Sequence, residues 1–250
     1  MNKISAIIPT FNEEHNIASA IDAVSWADEV IVVDSLSSDK TVEIAKQKGV
    51  RLLQREYENS ASQKNWTIPQ ATHSWIFLLD ADERVTEELK KEIIDLLKEP
   101  LEKDAYWIRR SNYFMGKRVR FSGWQGDKVI RLFNRDKCRY QEKHVHSEID
   151  CSGEIGYLTG KLDHFTVKNI AHYLEKWDRY STWSAKDHYE RGQKPSIFHF
   201  VFKPGFRFFR DFILRLGFLD GLTGLIVCTL SSTGIFMRYL KLKQLLKDND

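Results

Sequence analysis

The sequence lacks the glycine-rich loops that commonly hold nucleotide phosphates. Neither G-x-G-x-x-G nor G-K followed by Ser or Thr occurs among the 250 residues, so the two most familiar phosphate-binding loops are excluded. Cysteine is scarce, and the wide spacing of Cys138, Cys151 and Cys228 matches no zinc or redox motif. Three scattered cysteines favour a reducing compartment.

Excess charge and a signal sequence are also missing. The net charge is only +3, which excludes a general nucleic-acid binder and predicts no nucleic-acid partner. Met1, Asn2 and Lys3 lead directly into a strand pattern, so we expect no secretory signal and a cytoplasmic protein. The length suits one large domain, or one domain with an appendage.

A short apolar run, residues 75–79, ends in the carboxylates of Asp80 and Asp82 with Ala81 between them. The run predicts a strand buried on both faces, and its carboxyl end is where open α/β sheets bind ligands. If strand geometry persists, both carboxylates point the same way and need a cation, for which Mg²⁺ or Mn²⁺ with substrate phosphates is suited. The alternative is a turn that caps the next helix.

The first hundred residues alternate between strand and helix patterns. Strands at 4–8, 30–33, 50–53 and 75–79 alternate with helical segments, which predicts a doubly wound, mostly parallel α/β sheet. The ends of strands one, two and four then lie along one edge. We expect Asn12 and Thr86 to cap the helices that follow them, Gly49 to end a helix, and a helix over 60–71 to be limited by Pro69.

The C-terminal third has an unusual composition. A long helix is predicted over 169–192. In residues 206–216 an aromatic apolar face opposes an arginine-rich face, which is typical of an interfacial membrane helix. Residues 221–237 carry no charge but contain three glycines, and this favours a hairpin or re-entrant segment over a span, which needs about 20 apolar residues. A buried helix pair or an oligomer interface is the alternative.

Three motifs in this order carry a resemblance. Residues 9–13 (Pro-Thr-Phe-Asn-Glu), Asp34 before a serine-rich loop, and Asp80-Ala81-Asp82 together resemble the family 2 glycosyltransferases of the GT-A fold. The resemblance implies a GT-A-type sheet with flanking helices and a C-terminal helical, membrane-associating extension. The resemblance implies that Pro9, Phe11, Glu13 and Asp34 surround the nucleoside of a sugar nucleotide. It implies that Asp80 and Asp82 hold the ribose and the metal–diphosphate, and that Lys64 lies near the diphosphate. From the residues alone, the alternatives are a core aromatic at Phe11, a helix cap at Asp34 and a solvated surface lysine at Lys64.

The second half resembles the lipopolysaccharide-core glucosyltransferase branch of that family. Residues 123–127 precede an Arg-Leu-Phe strand, and residues 144–148 resemble the branch's His-Glu segment with Ser147 inserted. The resemblance makes Asp127 the base that accepts the acceptor's proton and Glu148 the reserve. His146 is then a third metal ligand or a phosphate ligand, and His164 carries the same possibility. A turn residue at Asp127 and a structural histidine at 146 remain the alternatives.

The resemblance implies a metal-dependent, inverting hexosyltransferase. Its donor would be UDP-glucose, its cofactor Mg²⁺ or Mn²⁺, and its acceptor a lipid-linked oligosaccharide such as the lipopolysaccharide inner core. The expected organisation is a nucleotide-sugar half (1–100), an acceptor half of the same domain (101–168) and a helical extension (169–250). Residues 198–243 would contact the cytoplasmic face of the inner membrane peripherally. The alternatives are a nucleotidyltransferase, disfavoured by an acidic first loop without glycine, a non-catalytic membrane-docked scaffold, or a transferase of another sugar in capsule or cell-wall synthesis.

Overall fold

The computed structural model describes residues 2–141, 148–167 and 169–248. Its strands, in chain order, are β1 (Ile4–Thr10), β2 (Glu29–Asp34), β3 (Arg51–Gln54), β4 (Trp75–Leu78), β5 (Glu83–Val85), β6 (Ala105–Phe114), β7 (Lys117–Val119), β8 (Lys128–Asn134), β9 (Cys138–Tyr140), β10 (Ile149–Cys151) and β11 (Ile155–Val167). Its α-helices are α1 (Ile17–Ala23), α2 (Thr41–Gln47), α3 (Ser60–Thr67), α4 (Glu87–Leu96), α5 (Ile170–Glu190), α6 (Ile197–Phe200), α7 (Phe202–Phe209) and α8 (Gly221–Asp248). Short 3₁₀ segments cover Ile68–Gln70 and Gly217–Asp220, and a π turn covers Arg210–Leu214.

The central sheet confirms the predicted α/β class. Its strand order is β3-β2-β1-β4-β8-β6-β11-β5, with β7 paired to β6. The strands from β3 to β4 are parallel, as predicted. Beyond β4 the sheet is mixed, because β8 runs antiparallel to β4 and β6, and β5 antiparallel to β11. Strands of the second half follow one another without crossover helices, which permits antiparallel pairing.

The parallel register brings three strand ends to one edge of the sheet. Thr10 at the end of β1 pairs with Asp34 at the end of β2, and Ile7 pairs with Leu78 near the end of β4. The prediction that strands one, two and four end together is therefore confirmed. The apolar runs leading to this edge are buried because helices cover the sheet.

Local sequence signals predicted some of the helix ends correctly and others wrongly. Thr86 caps α4 as predicted, because its Oγ1 accepts a hydrogen bond from the amide of Leu89, and Gly49 follows α2 with a φ of +68°. Asn12 is not a helix cap. It has a φ of 53°, and α1 begins only at Ile17, after a turn closed by hydrogen bonds to the carbonyl of Glu13. The third helix ends at Thr67 and Pro69 lies in the 3₁₀ segment that follows.

The chain forms two compact units. The first comprises Met1–Arg110 with Asp127–His164, and the second Ser111–Gly126 with Phe165–Asp250. In the first unit Cys138 and Cys151 form a disulfide across β9 and β10, a pairing that the predicted reducing compartment disfavours. Spacing along the chain could not reveal the pair, because the strand register places the two residues opposite each other.

In the second unit α8 is one continuous helix, so the predicted hairpin or re-entrant segment at 221–237 is wrong. The glycines permit close packing rather than a break: a Cβ on Gly234 would lie 2.9 Å from the indole nitrogen of Trp177 on α5. By length and composition alone, Gly217–Asp248 is apolar enough to cross a membrane, and 17% of its most apolar window is buried.

Candidate functional site

The Asp-Ala-Asp segment lies in a tight turn at the carboxyl end of β4. The strand ends at Leu78, and the amide of Glu83 donates to the carbonyl of Asp80 at 2.9 Å. Strand geometry therefore does not persist through Asp82, contrary to the expectation that it sets the direction of both carboxylates. The segment does not cap α4 either, since Thr86 does. The turn lets the two carboxylates meet different partners.

Asp80 lies between two buried cations. Its Oδ1 is 3.5 Å from the Lys64 ammonium, and its Oδ2 accepts from the Arg131 guanidinium. Lys64 is buried and lies over the ring of Tyr140, with 4.9 Å from Nζ to the ring centroid. The solvated-lysine alternative is thereby excluded.

The pKa values reflect this pairing. Burial raises the pKa of Asp80, but the charges of Arg131 and Lys64 outweigh burial and lower the pKa well below the usual range for a carboxyl. Burial lowers the pKa of Lys64, yet the charge of Asp80 outweighs it and the pKa is raised. Both groups are therefore charged at neutral pH.

Glu83 joins this pair to the predicted base. Its side chain is fully buried, and its Oε1 accepts from Arg131 at 2.7 Å and from Arg110 at 3.3 Å. Its Oε2 accepts from the amide of Asp80 at 3.1 Å. Arg110 in turn holds both carboxylate oxygens of Asp127, at 3.0 and 2.8 Å. One network of alternating charge thus links Asp80 to Asp127.

The arginines of this network stay charged. Burial lowers the pKa of Arg131, but Asp80 and then Glu83 outweigh burial and raise the pKa well above its usual range. Burial likewise lowers the pKa of Arg110, and its hydrogen bond to Asp127 leads the effects that raise it. A buried charge is tolerated when opposite charges and hydrogen bonds compensate it. Sequence reasoning missed Glu83, Arg110 and Arg131 as members of the site. For Arg131 the available signal was a charged residue between the apolar pairs Val129-Ile130 and Leu132-Phe133 of β8.

Asp82 has a different neighbour, His164 on β11. The His164 Nε2 and Asp82 Oδ2 atoms are 3.7 Å apart, and both side chains are mostly buried. The pairing of β11 with β5 sets this position, because His164 lies opposite Glu83 in the ladder. The predicted ligand His146 lies outside the described residues. Among residues 2–141, 148–167 and 169–248, no group of three or more His, Cys, Asp or Glu side chains is arranged to hold a metal ion.

Asp34 fixes the loop at the end of β2. Its carboxylate is fully buried and accepts from the amide of Ser37 at 3.0 Å, from the Ser37 hydroxyl, and from Gln54 at 3.2 Å. It is not a helix cap, because α2 begins later, at Thr41. Its assignment as a nucleoside ligand stays a prediction.

The loop after β1 is tied to the loop after β2. The Asn12 amide donates to the hydroxyl of Ser37 at 2.9 Å, and the Glu13 amide to that of Thr41 at 2.8 Å. Phe11 is 52% exposed, which excludes the core-aromatic alternative. Pro9, near the end of β1, pairs with Val33, the residue before Asp34. These residues therefore line the same sheet edge as Asp34, and their ligand roles stay predictions.

Glu148, the reserve base, lies at the start of the β10 side of the β9–β10 hairpin. Its side chain is exposed, and its carbonyl accepts from the amide of Gln141 at 2.9 Å. The hairpin is joined to α3 by hydrogen bonds between Tyr140 and the side chain of Asn65, at 2.9 and 3.0 Å. Because α3 also carries Lys64, the hairpin lies beside the cation that contacts Asp80.

Two solved structures are similar to part of this chain. Glucosyl-3-phosphoglycerate synthase from Mycobacterium tuberculosis, in complex with Mn²⁺, uridine diphosphate and glucosyl-3-phosphoglycerate, is 22% identical, over 46% of this chain and 45% of that chain, with a TM-score of 0.38. The same enzyme with Mg²⁺ and uridine diphosphate gives 16% identity over 54% of this chain and 57% of that chain, with a TM-score of 0.40.

Sequence relatives cover nearly the whole chain. A glycosyltransferase of Rickettsia typhi is 30% identical over 257 residues, which is 98% of this chain and 88% of the relative. The lipopolysaccharide core biosynthesis glycosyltransferase LpsC of Rhizobium meliloti is 28% identical over 250 residues, 94% of this chain and 93% of the relative. The family model Glycosyl transferase family 2 matches residues 5–153, more than half of the chain. The protein is therefore a member of glycosyl transferase family 2.

Proposed function

We propose that this glycosyltransferase is inverting and metal-dependent, and that it moves glucose from UDP-glucose to a lipid-linked oligosaccharide such as the lipopolysaccharide inner core. The observation that carries the proposal is the turn after β4, where Asp80 meets Lys64 and Asp82 meets His164. The name of the Rhizobium relative, a lipopolysaccharide core biosynthesis enzyme, supports the choice of acceptor.

The residues present fit a divalent cation. Asp82 Oδ2 and His164 Nε2 are 3.7 Å apart, which is less than twice the roughly 2.1 Å ligand distance of Mg²⁺, so one ion could contact both. Protein ligands to such an ion are commonly few, with substrate phosphates completing the set. Bound there, Mg²⁺ or Mn²⁺ would compensate the charge of the departing diphosphate. His146 remains a proposed further ligand.

The donor would lie along the sheet edge from β2 to β4. Phe11 offers an exposed aromatic face to a base, and Pro9, Glu13 and Asp34 shape the loops around the nucleoside. Lys64 supplies a fixed positive charge beside the diphosphate, while Asp80 holds Lys64 in place and is proposed to contact the ribose or the metal.

Asp127 is the proposed base. Its bidentate contact with Arg110 fixes the carboxylate in one orientation, and a carboxylate held in this way can take the proton of an acceptor hydroxyl. As that hydroxyl attacks the anomeric carbon from the face opposite the diphosphate, Asp127 takes its proton and the sugar–phosphate bond breaks. Glu148 is the alternative base, because its side chain is exposed.

We also propose a peripheral position on the cytoplasmic face of the inner membrane. A span through α8 is disfavoured by its partner: α5 packs along α8, with Trp177 against Gly234 and Lys241 bonded to Asp178 at 2.6 Å. The outer face of α5 carries exposed charges, including Glu175 and Arg179, which are costly inside a bilayer. A surface position leaves these charges in water and the apolar part of α8 free to contact lipid.

Donor hydrolysis tests the proposal. The purified protein is given a panel of sugar nucleotides with Mn²⁺, Mg²⁺ or EDTA, beside an Asp82→Ala variant and an Asp95→Ala control at an exposed position of α4. We expect UDP-glucose turnover that needs metal and falls at least about 100-fold in Asp82→Ala alone. Turnover of another sugar nucleotide only would contradict the donor, and turnover in EDTA would contradict the metal. If the protein neither hydrolyses nor binds any sugar nucleotide, the transferase proposal is contradicted and the non-catalytic membrane-docked scaffold is favoured.

A further inference from the structure

Three aromatic side chains form a stripe on the surface of the second unit. Phe198 on α6 and Phe202 and Phe206 on α7 follow one another at four-residue spacing, and they are 53%, 62% and 62% exposed. Phe198 and Phe202 stack, with ring centroids 5.5 Å apart. Soluble monomers rarely expose a large contiguous apolar patch without an interaction partner.

A second stripe, of cations, runs beside the first. Lys203, Arg207 and Arg210 follow at helical spacing, and together with the aromatic stripe and Ile235 of α8 they line a groove of about 400 Å³. Its volume lies within the roughly 300–1,000 Å³ typical of sites for small molecules. The groove therefore offers apolar surface and positive charge side by side.

The cations are held in place but not neutralised. Arg207, Arg210 and Arg215 all contact the one buried carboxylate of Asp211, so three positive charges face a single negative charge. Lys203 is fixed by its hydrogen bond to the Tyr239 hydroxyl at 2.7 Å. A positive excess held rigidly around an apolar groove is complementary to an anion that carries an apolar tail.

This complementarity decides among the possible occupants. A second copy of the chain would bring the same positive charges to the contact, and like charges disfavour it. A free inorganic anion would leave the exposed phenylalanines uncovered. A membrane lipid with a phosphate satisfies both stripes, because aromatic residues and cations are suited to the bilayer interface and to anionic headgroups.

We propose that this groove seats one membrane lipid with an anionic, phosphate-bearing headgroup. The acyl chain lies against Phe198, Phe202 and Phe206, and the phosphate lies among Lys203, Arg207 and Arg210. The inference rests on the membrane contact in the proposed function and adds a defined lipid site to it. It requires neither a sugar nucleotide nor a metal, so it can fail while the transferase activity stands.

Vesicle co-sedimentation of the full chain tests this site. Vesicles of phosphatidylcholine alone are compared with vesicles containing phosphatidylglycerol. The variants are Phe202→Ser with Phe206→Ser, and Lys203→Gln; the matched controls are Tyr157→Ser, at an exposed aromatic of the other unit, and Lys117→Gln, at an exposed cation of β7. Thermal unfolding of each variant shows that it is folded, and inorganic phosphate serves as a competitor.

We expect preference for the anionic vesicles, at least about tenfold weaker binding in the double phenylalanine variant, and about fivefold weaker binding in Lys203→Gln. The controls should bind like the unmodified protein, and millimolar phosphate should not displace the vesicles. Equal binding to both vesicle types, or unchanged binding by the folded variants, would overturn the proposal. Dimerisation lost in the double variant, without vesicle binding, would overturn it in favour of a second copy.

Discussion

Among the described residues, the buried carboxylates of Glu83 and Asp211 each contact more than one arginine, and the two clusters differ in charge balance. Glu83 contacts Arg110 and Arg131, and these arginines go on to contact Asp127 and Asp80. With Lys64 included, three cations face three carboxylates. Asp211 contacts three arginines, and no other carboxylate among the described residues contacts them.

The difference indicates two roles for the same residue types. In the balanced network, the contacts with Arg110, Arg131 and Lys64 hold Asp80 and Asp127 in fixed positions beside the proposed donor site. The unbalanced cluster keeps a positive excess beside exposed phenylalanines, so its remaining charge is available to a ligand. Charge balance, rather than the number of ion pairs, separates a positioning network from a docking surface.

The largest expected effect is at the centre of the balanced network. Glu83→Gln keeps the side-chain shape but leaves Arg110 and Arg131 with one carboxylate fewer, and we expect unfolding free energy to fall by about 3–5 kcal/mol. Urea denaturation measures it, with Glu99→Gln as an exposed control that should change little. A loss below about 1 kcal/mol would show that the network does not depend on Glu83.

Asp80→Asn should have a smaller effect with a pH signature. Removing a charged hydrogen-bond partner of Arg131 costs about 1.5–3 kcal/mol at neutral pH. The folded pKa of Asp80 is lowered, so its contribution is complete above its unfolded pKa of about 4 and disappears only as pH falls below that value. Unfolding free energies of both proteins between pH 7 and the acid limit test this. A difference that already vanishes near pH 6 would contradict the pairing.

Asp211→Asn should have the smallest effect on stability. Arg207, Arg210 and Arg215 are each partly exposed, so water can compensate their charges, and we expect a loss of about 1 kcal/mol. Binding to anionic vesicles should be retained, because the variant is more positive. A loss as large as that of Glu83→Gln would remove the distinction between the two clusters.

The sequence was sufficient to predict that the ends of β1, β2 and β4 lie along one edge of the sheet. Apolar runs that end in Asp34 and Asp80 predict strand ends, and the handedness of parallel crossovers places them together. The ion-pair network around Glu83 could not be predicted from the sequence. It depends on β8 lying next to β4, and β6 next to β8, with both pairs antiparallel. That strand order brings Arg131 and Arg110 to Glu83, and no local sequence pattern predicts the order.

The C-terminal third shows a second limit of local patterns. Glycine weakens an isolated helix, so the glycines of 221–237 indicated a break. In the folded chain Gly234 instead allows Trp177 of α5 to approach α8 closely, and tertiary packing outweighs the helix propensity. Residues 206–216, predicted as one interfacial helix, do not form one, because α7 ends at Phe209 and a π turn covers Arg210–Leu214.

The most direct test of the proposed donor site is calorimetric titration of UDP. The unmodified protein, Asp82→Ala and the Asp95→Ala control are titrated with Mn²⁺ and again with EDTA. We predict that the unmodified protein and the control bind UDP only with Mn²⁺, and that Asp82→Ala binds at least about tenfold more weakly. UDP binding that is unchanged by EDTA and by Asp82→Ala would contradict a metal–diphosphate site at the turn after β4.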